Sequence, residues 1–323
     1  MTRTTAARPA RPKTARKAPK RAALGPAGLA KLAGPLESLV AAAGLDARVG
    51  FDPVAFPRRY PDPRDVEVSG LLAASLAYGR VDLFKPKIES ILAGLGPRPS
   101  EAIRAMTIPQ AKRLLEGFVY RFNLATDVAV LLFGMKRALS RHGSLESLFL
   151  SHWQGGDGLR PALGGFLAEL REVPMAPLRE ALGPERGLQH MLPVPLGPGA
   201  SKRMLMFLRW MVRGPDPVDL GIWTRVPAAA LLLPLDTHTG RMAQHLGLTT
   251  RTDLSWKTAE QVTASLRQID PLDPVRFDFA LCHHGMSGAC PATPQASHCR
   301  ACELLPVCRT GPTVLRRSRA GAD

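Results

Sequence analysis

Apolar residues recur at spacings of three and four along nearly the whole chain, and this period limits the fold more than any other feature. It runs through LESLVAAAG, DVEVSGLLAASLAYG, FKPKIESILAGLG, ATDVAVLLFGMKRAL, LRPALGGFLAELREV, KRMLMFLRWMVR and DPVRFDFALCHHG. Such a segment gathers its apolar side chains on one face as a helix and scatters them as a strand. Alternating patterns are nearly absent, so the reading is all-α. Proline and glycine interrupt the helices at FDPVAFPRRYPDPR, GLGPRPS, LPVPLGPGA and RGPDPVDLG. The helices should therefore be short and joined by tight corners.

With 323 residues, 45% of them hydrophobic, the chain can bury a sizeable core in one or two domains. No apolar run approaches the roughly eighteen residues needed to cross a bilayer, and the charged N-terminus has no apolar stretch behind it. The expectation is a cytoplasmic monomer with no membrane partner. The net charge of +16 is concentrated at the ends. Residues 1–21 carry eight Lys or Arg and no acid, and the segment after Cys308 adds Arg309, Arg316, Arg317 and Arg319 against Asp323. Segments of this composition bury too little apolar surface to offset their ordering entropy, so disordered basic tails are expected over 1–24 and 311–323. Such arms attract polyanions by counterion release, without reading sequence. A solubilising tail is the plainer meaning; the mildly basic body favours nucleic acid.

Four of the five cysteines stand in CPATPQASHCRACELLPVC, as Cys290, Cys299, Cys302 and Cys308. In a reducing compartment, clustered cysteines point to a metal or to redox chemistry rather than to disulfides. Four thiolates can surround a tetrahedral zinc or a [4Fe-4S] cube. A zinc ribbon usually pairs two C-x2-C knuckles. Here a single knuckle, Cys299 to Cys302, is flanked by lone cysteines, which suits a cluster reached from one irregular loop. Zinc is the alternative, in which His298 could replace a thiol. Cys282, on the preceding helix, reads as a small buried hydrophobe.

The cysteine loop, preceded by PLDTHTGRMAQHLGL and by a helix ending in HHG, resembles the endonuclease III and adenine glycosylase branch of the helix-hairpin-helix DNA glycosylases. Members of that branch close with a [4Fe-4S] loop of spacing C-x6-C-x2-C-x5-C, against C-x8-C-x2-C-x5-C here. They carry a catalytic aspartate in a V-D-T-H segment that opens a helix. With a looser likeness in VEVSGLLAASLAYGRVD, the resemblance covers about residues 65–308. The whole chain also resembles an uncharacterised bacterial family set within that superfamily. The resemblance implies two helical lobes: residues 66–213 as a barrel with a degenerate hairpin, and residues 25–65 returning to pack with 228–310, the lobe of the cluster. It implies a nucleoid-associated protein that holds duplex DNA by its phosphates across the cleft, extrudes a damaged nucleotide and turns Arg300 and Arg309 toward the backbone.

By the same resemblance Asp236 is the carboxylate that stabilises positive charge at the sugar as the base departs, and Arg241 keeps the spacing of the arginine that follows it. Asp236 also stands where an N-cap belongs, and the two roles are compatible. Lys202, in LGPGASKRMLM, matches the lysine that attacks the sugar carbon as a free amine in members with lyase activity. The loop before it departs from the family's L-P-G-V-G, because Gly197, Pro198 and Ala200 fall where Pro, Gly and Gly are expected. That weakens the expected backbone grip on a phosphate.

A plainer reading exists for the same helix. Met204, Phe207, Leu208 and Met211 form a core stripe, and Lys202, Arg209 and Arg213 fall away from it, as a solvated basic face or one lying along DNA. Trp210, Trp223, Tyr78 and Arg80 could stack on bases, yet aromatics at helical spacing are usually core. The implied activity is base excision by a DNA glycosylase, with or without AP lyase activity. The alternative is a non-catalytic iron-sulfur nucleic-acid-binding protein, and a third reading is a zinc-stabilised adaptor.

Overall fold

The computed structural model describes residues 22–156, 158–194 and 196–320. The expected basic N-terminal tail lies, up to residue 21, outside the described residues, as do residues 321–323 of the expected C-terminal one. The fold is mostly helical, as the sequence period requires, with one small hairpin in which Val119–Tyr120 pairs antiparallel with Asn123–Leu124. Among the described residues no helix is long and apolar enough to cross a membrane.

The helix Pro63–Leu76 is buried continuously from Asp65 to Leu76. Its start follows from chemistry: Pro63 sits where a missing N–H costs nothing, and the Asp62 carboxylate accepts from the Arg64 amide at 2.7 Å. Around it pack Val81–Leu95, Pro99–Ala105 and Lys202–Val212. Behind these, Ala125–His142 crosses Leu159–Arg171 at Gly134, where a Cβ would stand 2.1 Å from the Leu170 carbonyl oxygen. Any side chain there would force the two helices apart.

A buried carboxylate ties three elements together. Glu67, on the central helix, accepts from the amides of Leu145 at 3.0 Å and Glu146 at 2.9 Å, the unsatisfied donors that open the helix Leu145–His152. It also accepts from the indole Nε1 of Trp223 at 2.8 Å. Burial pushes the Glu67 carboxyl above its ordinary range in spite of these donors. Trp210 and Trp223 are core residues, each at most 1% exposed.

The helix Lys202–Val212 corrects one expectation. Met204 through Val212 are all buried, so the helix has no solvated face over that stretch. The segment after it, RGPDPVDLG, folds back over it and supplies the counter-charges. Arg209 Nε donates to Asp219 at 3.1 Å and its Nη1 to Asp278. Arg213 is held by Asp219 at 2.8 Å, by Asp273 at 2.7 Å and by Asp216. Arg209 and Arg213 are thus internal cations, and neither forms the expected solvated face.

The remaining helices hold the C-terminal loop. Thr237–Leu246 packs along Asp278–Met286, and Ala33–Ala42 lies against the latter. Arg276 pairs with Glu37, and the Leu24 amide donates to Gly247 O at 2.9 Å. Residues Gly311–Ala320 form a helix where a disordered tail was expected. The helix lies against Ala296–Ala301, and the Gly311 amide donates to Cys308 Sγ at 3.3 Å. The cysteine loop supplies the surface on which this basic segment can order.

Candidate functional site

A cavity of about 510 Å³ opens where Lys202–Val212, Thr237–Leu246, Asp278–Met286 and the turn at Asp52 and Pro53 converge. Asp236 and Lys202 meet in it. Asp236 is the N-cap of Thr237–Leu246, and its Oδ1 accepts from the amides of His238 and Thr239, both at 2.9 Å. That fixes the carboxylate and leaves Oδ2 turned to Lys202 Nζ at 3.3 Å. The LDTHTGR segment therefore places a preorganised anion at a helix N-terminus, and KRMLM places a cation at the first position of another.

The two charges shift each other. Burial pushes the Asp236 carboxyl up, but Lys202 and the helix amides outweigh it, so it ends below the usual carboxylate range. Burial pushes the Lys202 amine down, but the neighbouring acids, Asp236 first, outweigh it, and it ends above its ordinary value. At rest the pair is an ammonium and a carboxylate.

Asp278, Asp52 and Cys282 surround the pair, and the sequence did not place any of them in the site. Asp278 lines the cavity, its Oδ2 accepts from Arg209, and its Oδ1 has no hydrogen-bond partner among the described residues. Burial pushes it up to about 6, with Arg209 opposing and Asp236 adding to the rise. Asp52, which accepts from the Val54 amide at 3.0 Å, is likewise raised by burial. Cys282, expected to be a plain buried hydrophobe, instead brings its Sγ 3.7 Å from Asp236 Oδ2 and lines the cavity. Burial and the neighbouring acids keep that thiol protonated, so it acts as a weak donor to the carboxylate. The sequence signal for Asp278 was an acid inside the apolar run RFDFALC, a position that is rarely charged unless paired.

The cavity mouth is apolar and basic. Phe51, 74% exposed, Met286, 51% exposed, and Val81 line it together with Tyr78 and Arg203. Tyr78 stacks near Phe122, a half-exposed residue in the turn of the hairpin, with ring centroids 6.2 Å apart. The guanidinium of Arg203 lies 5.1 Å from the Tyr78 ring centroid, and that of Arg121 lies 5.9 Å from it. Arg80 is exposed and paired with Asp82.

The loop before Lys202 is committed elsewhere. The Ala200 amide donates to Leu254 O at 3.0 Å, and the Trp256 amide donates to Pro198 O at 2.9 Å. The amide that the family pattern would turn to a phosphate is thus taken within the protein. Ser201, with φ of 50°, makes the left-handed step into the helix that a glycine would make without strain.

The four loop cysteines line one small hollow, walled also by Pro291, Pro294, Leu305 and Gly311 and by His245, His298 and Thr310. All four are partly buried and none is in a disulfide. Among the described residues no three His, Cys, Asp or Glu side chains converge closely enough to hold a single ion. Cys290 Sγ lies 3.3 Å from His245 Nδ1, and Cys302 Sγ lies 3.6 Å from His284 Nε2. Arg241 does not enter the cavity wall; its Nη2 donates to Gly285 O and Cys290 O, both at 2.9 Å, and so ties the aspartate-bearing helix to the loop. His298 is exposed beside the hollow, Arg300 is exposed, and Arg309 donates to Ala22 O at 2.6 Å.

A family model described as "Protein of unknown function (DUF2400)" matches residues 52–287, a span that includes Lys202 and Asp236 and stops just before the cysteine loop. Comparison with curated proteins and with solved structures yields no match.

Proposed function

We propose that this chain, which belongs to the DUF2400 family, is a DNA glycosylase that excises a damaged base from a nucleotide extruded into the Asp236 cavity. The observation that carries the reading is the Lys202–Asp236 pair, 3.3 Å apart in a cavity of about 510 Å³. That volume lies in the range of small-molecule sites, and a base must leave the duplex to be reached there. The apolar and basic mouth suits a partner that is both stacked rings and phosphate, so duplex DNA is the proposed partner.

Asp236 supplies the electrostatic part. As the bond from C1′ to the base nitrogen breaks, its electron pair leaves with the base and positive charge develops on the sugar. A carboxylate already held by two amides stabilises that charge with no reorganisation of its own. Lys202 supplies the nucleophile: once Nζ has given up a proton, its lone pair forms a bond to C1′; after the nitrogen loses a second proton its lone pair breaks the C1′–O4′ bond, O4′ takes up a proton as the sugar ring opens, and the resulting C1′=N iminium permits strand cleavage. Because the surrounding acids hold Lys202 as an ammonium, the free amine is scarce near neutral pH.

Cys290, Cys299, Cys302 and Cys308 would hold a [4Fe-4S] cluster. Four thiols around one hollow match the donor set that such a cluster takes. When bound, the cluster orders the C-terminal loop and takes no part in the bond changes. The test is a panel of duplexes, each bearing one lesion, together with borohydride trapping on an abasic duplex. The expected result is excision of at least one lesion and a covalent adduct that Lys202→Ala abolishes while DNA binding survives. Trapping should rise about tenfold per pH unit below the amine's pKa, as the free-amine fraction does. A parent that excises nothing in the panel would leave a binding protein in place of an enzyme.

A further inference from the structure

We propose that His245 and His284 each donate a ring N–H to a sulfur ligand of the cluster, Cys290 and Cys302 respectively, and that these bonds set how tightly the cluster is held and at what potential it exchanges an electron. The inference rests on the reading that the loop binds a [4Fe-4S] cluster. The two contacts are 3.3 Å from Cys290 Sγ to His245 Nδ1 and 3.6 Å from Cys302 Sγ to His284 Nε2. Sulfur bound to iron is a thiolate and carries no proton, so it can only accept; the facing ring nitrogen must be the donor. A third donor of the same kind comes from the backbone, the Gly311 amide on Cys308 Sγ at 3.3 Å.

The placement of the two histidines gives these bonds a second consequence. His245 lies in the last turn of Thr237–Leu246, whose N-cap is Asp236, and the Arg309 amide holds its carbonyl at 2.7 Å. His284 lies on Asp278–Met286, which carries Asp278 and Cys282 into the cavity. The two helices pack so closely that a Cβ on Gly285 would stand 3.1 Å from His238 Cβ. Each helix thus carries both a cavity group and a sulfur donor. N–H dipoles aimed at sulfur favour the more electron-rich state of a cluster, so both contacts should raise its potential.

The experiment uses the intact chain purified without oxygen. Iron and zinc are measured, the one-electron potential is read at an electrode, and loss of cluster absorbance is followed after adding an iron chelator. His245→Phe and His284→Phe keep a ring and remove the donor; each should lower the potential and speed cluster release by about tenfold or more, the usual cost of losing an outer-shell partner. His245→Asn and His284→Gln keep an N–H at about the same reach and should restore parental behaviour in large part. Phenylalanine variants with parental potential and parental release would overturn the proposal. If the phenylalanine variants retain no cluster, the amide variants decide: retention supports an N–H role, and loss there as well overturns it in favour of packing alone. Stoichiometric zinc in the parent would instead remove the cofactor reading, and this inference with it.

Discussion

The helix Lys202–Val212 carries two cation–aspartate arrangements about two turns apart, and they are opposites. At Arg209 the arrangement is sealed: the side chains of Arg209, Asp219 and Asp278 are 4%, 1% and 6% exposed. At Lys202 it is open, with Lys202 36% and Asp236 20% exposed. The chemistry is nearly the same, but the surroundings divide the roles. A sealed cation that loses its partners is stranded in a poor dielectric, whereas an open pair can exchange one partner for an incoming group or for water. Asp278 belongs to both arrangements, since it grips Arg209 and lines the cavity.

The largest expected effect falls on the sealed side. Arg209→Met leaves Asp278 buried without its cation and Asp219 with Arg213 alone, and should cost about 3–5 kcal/mol of stability, read from the urea midpoint. A loss well under 1 kcal/mol would erase the contrast between the two sites.

On the open side the effect should appear in rate. Asp236→Asn keeps the shape and most of the helix cap, so the protein should fold and bind DNA, yet excision should fall by on the order of a hundredfold or more. Excision at the parental rate would reduce Asp236 to a cap.

The two carboxylates should also titrate with opposite signs. Asp278 is raised to about 6 in the folded protein, above its unfolded value near 4. The folded state therefore binds more protons between those values, and stability should fall as pH rises through that window. Asp236 is lowered on folding, so its contribution is fully present above about pH 4 and is lost as pH drops through its depressed pKa. Asp278→Asn should flatten the decline between about pH 4 and 6 and leave the acid limb in place. Urea midpoints measured across this range check both signs, and an unchanged slope in the variant would assign the decline to another group.

The smallest effect belongs to Lys202 itself. Lys202→Met should change stability by less than about 1 kcal/mol, because a partly solvated pair contributes little. A loss comparable to that of Arg209→Met would show that the cavity pair is structural too.

Much of the helical layout was legible because the 3.6 period is local and survives tertiary packing. The Asp236 cap was legible for the same reason: proline, aspartate and a following helical run are neighbours in sequence. Arg209 and Arg213 were misread because the period assigns one buried face, while this helix is covered on both sides once RGPDPVDLG folds back over it. The acids of that segment, Asp216 and Asp219, were a visible hint. The 3.3 Å meeting of Lys202 and Asp236 could not come from spacing, since the two stand on different helices and only the resemblance suggested pairing them. Asp52 was illegible as a site group because it reaches the cavity from a distant part of the chain, and Asp278, an acid in an apolar run, was marked as paired but not as facing the cavity. The helix Gly311–Ala320 defied its composition because it orders on the cysteine loop, a contact that local sequence does not encode.

Trp223 joins two helices through separate donors: its amide to Met211 O at 2.7 Å and its indole to Glu67 at 2.8 Å. Neither hydrogen can reach solvent unless Lys202–Val212 and Pro63–Leu76 separate. Deuterium exchange at both positions should therefore be among the slowest in the molecule and should follow whole-protein opening, while the hairpin around Phe122 exchanges through local fluctuation. The residue is an internal clock for global unfolding.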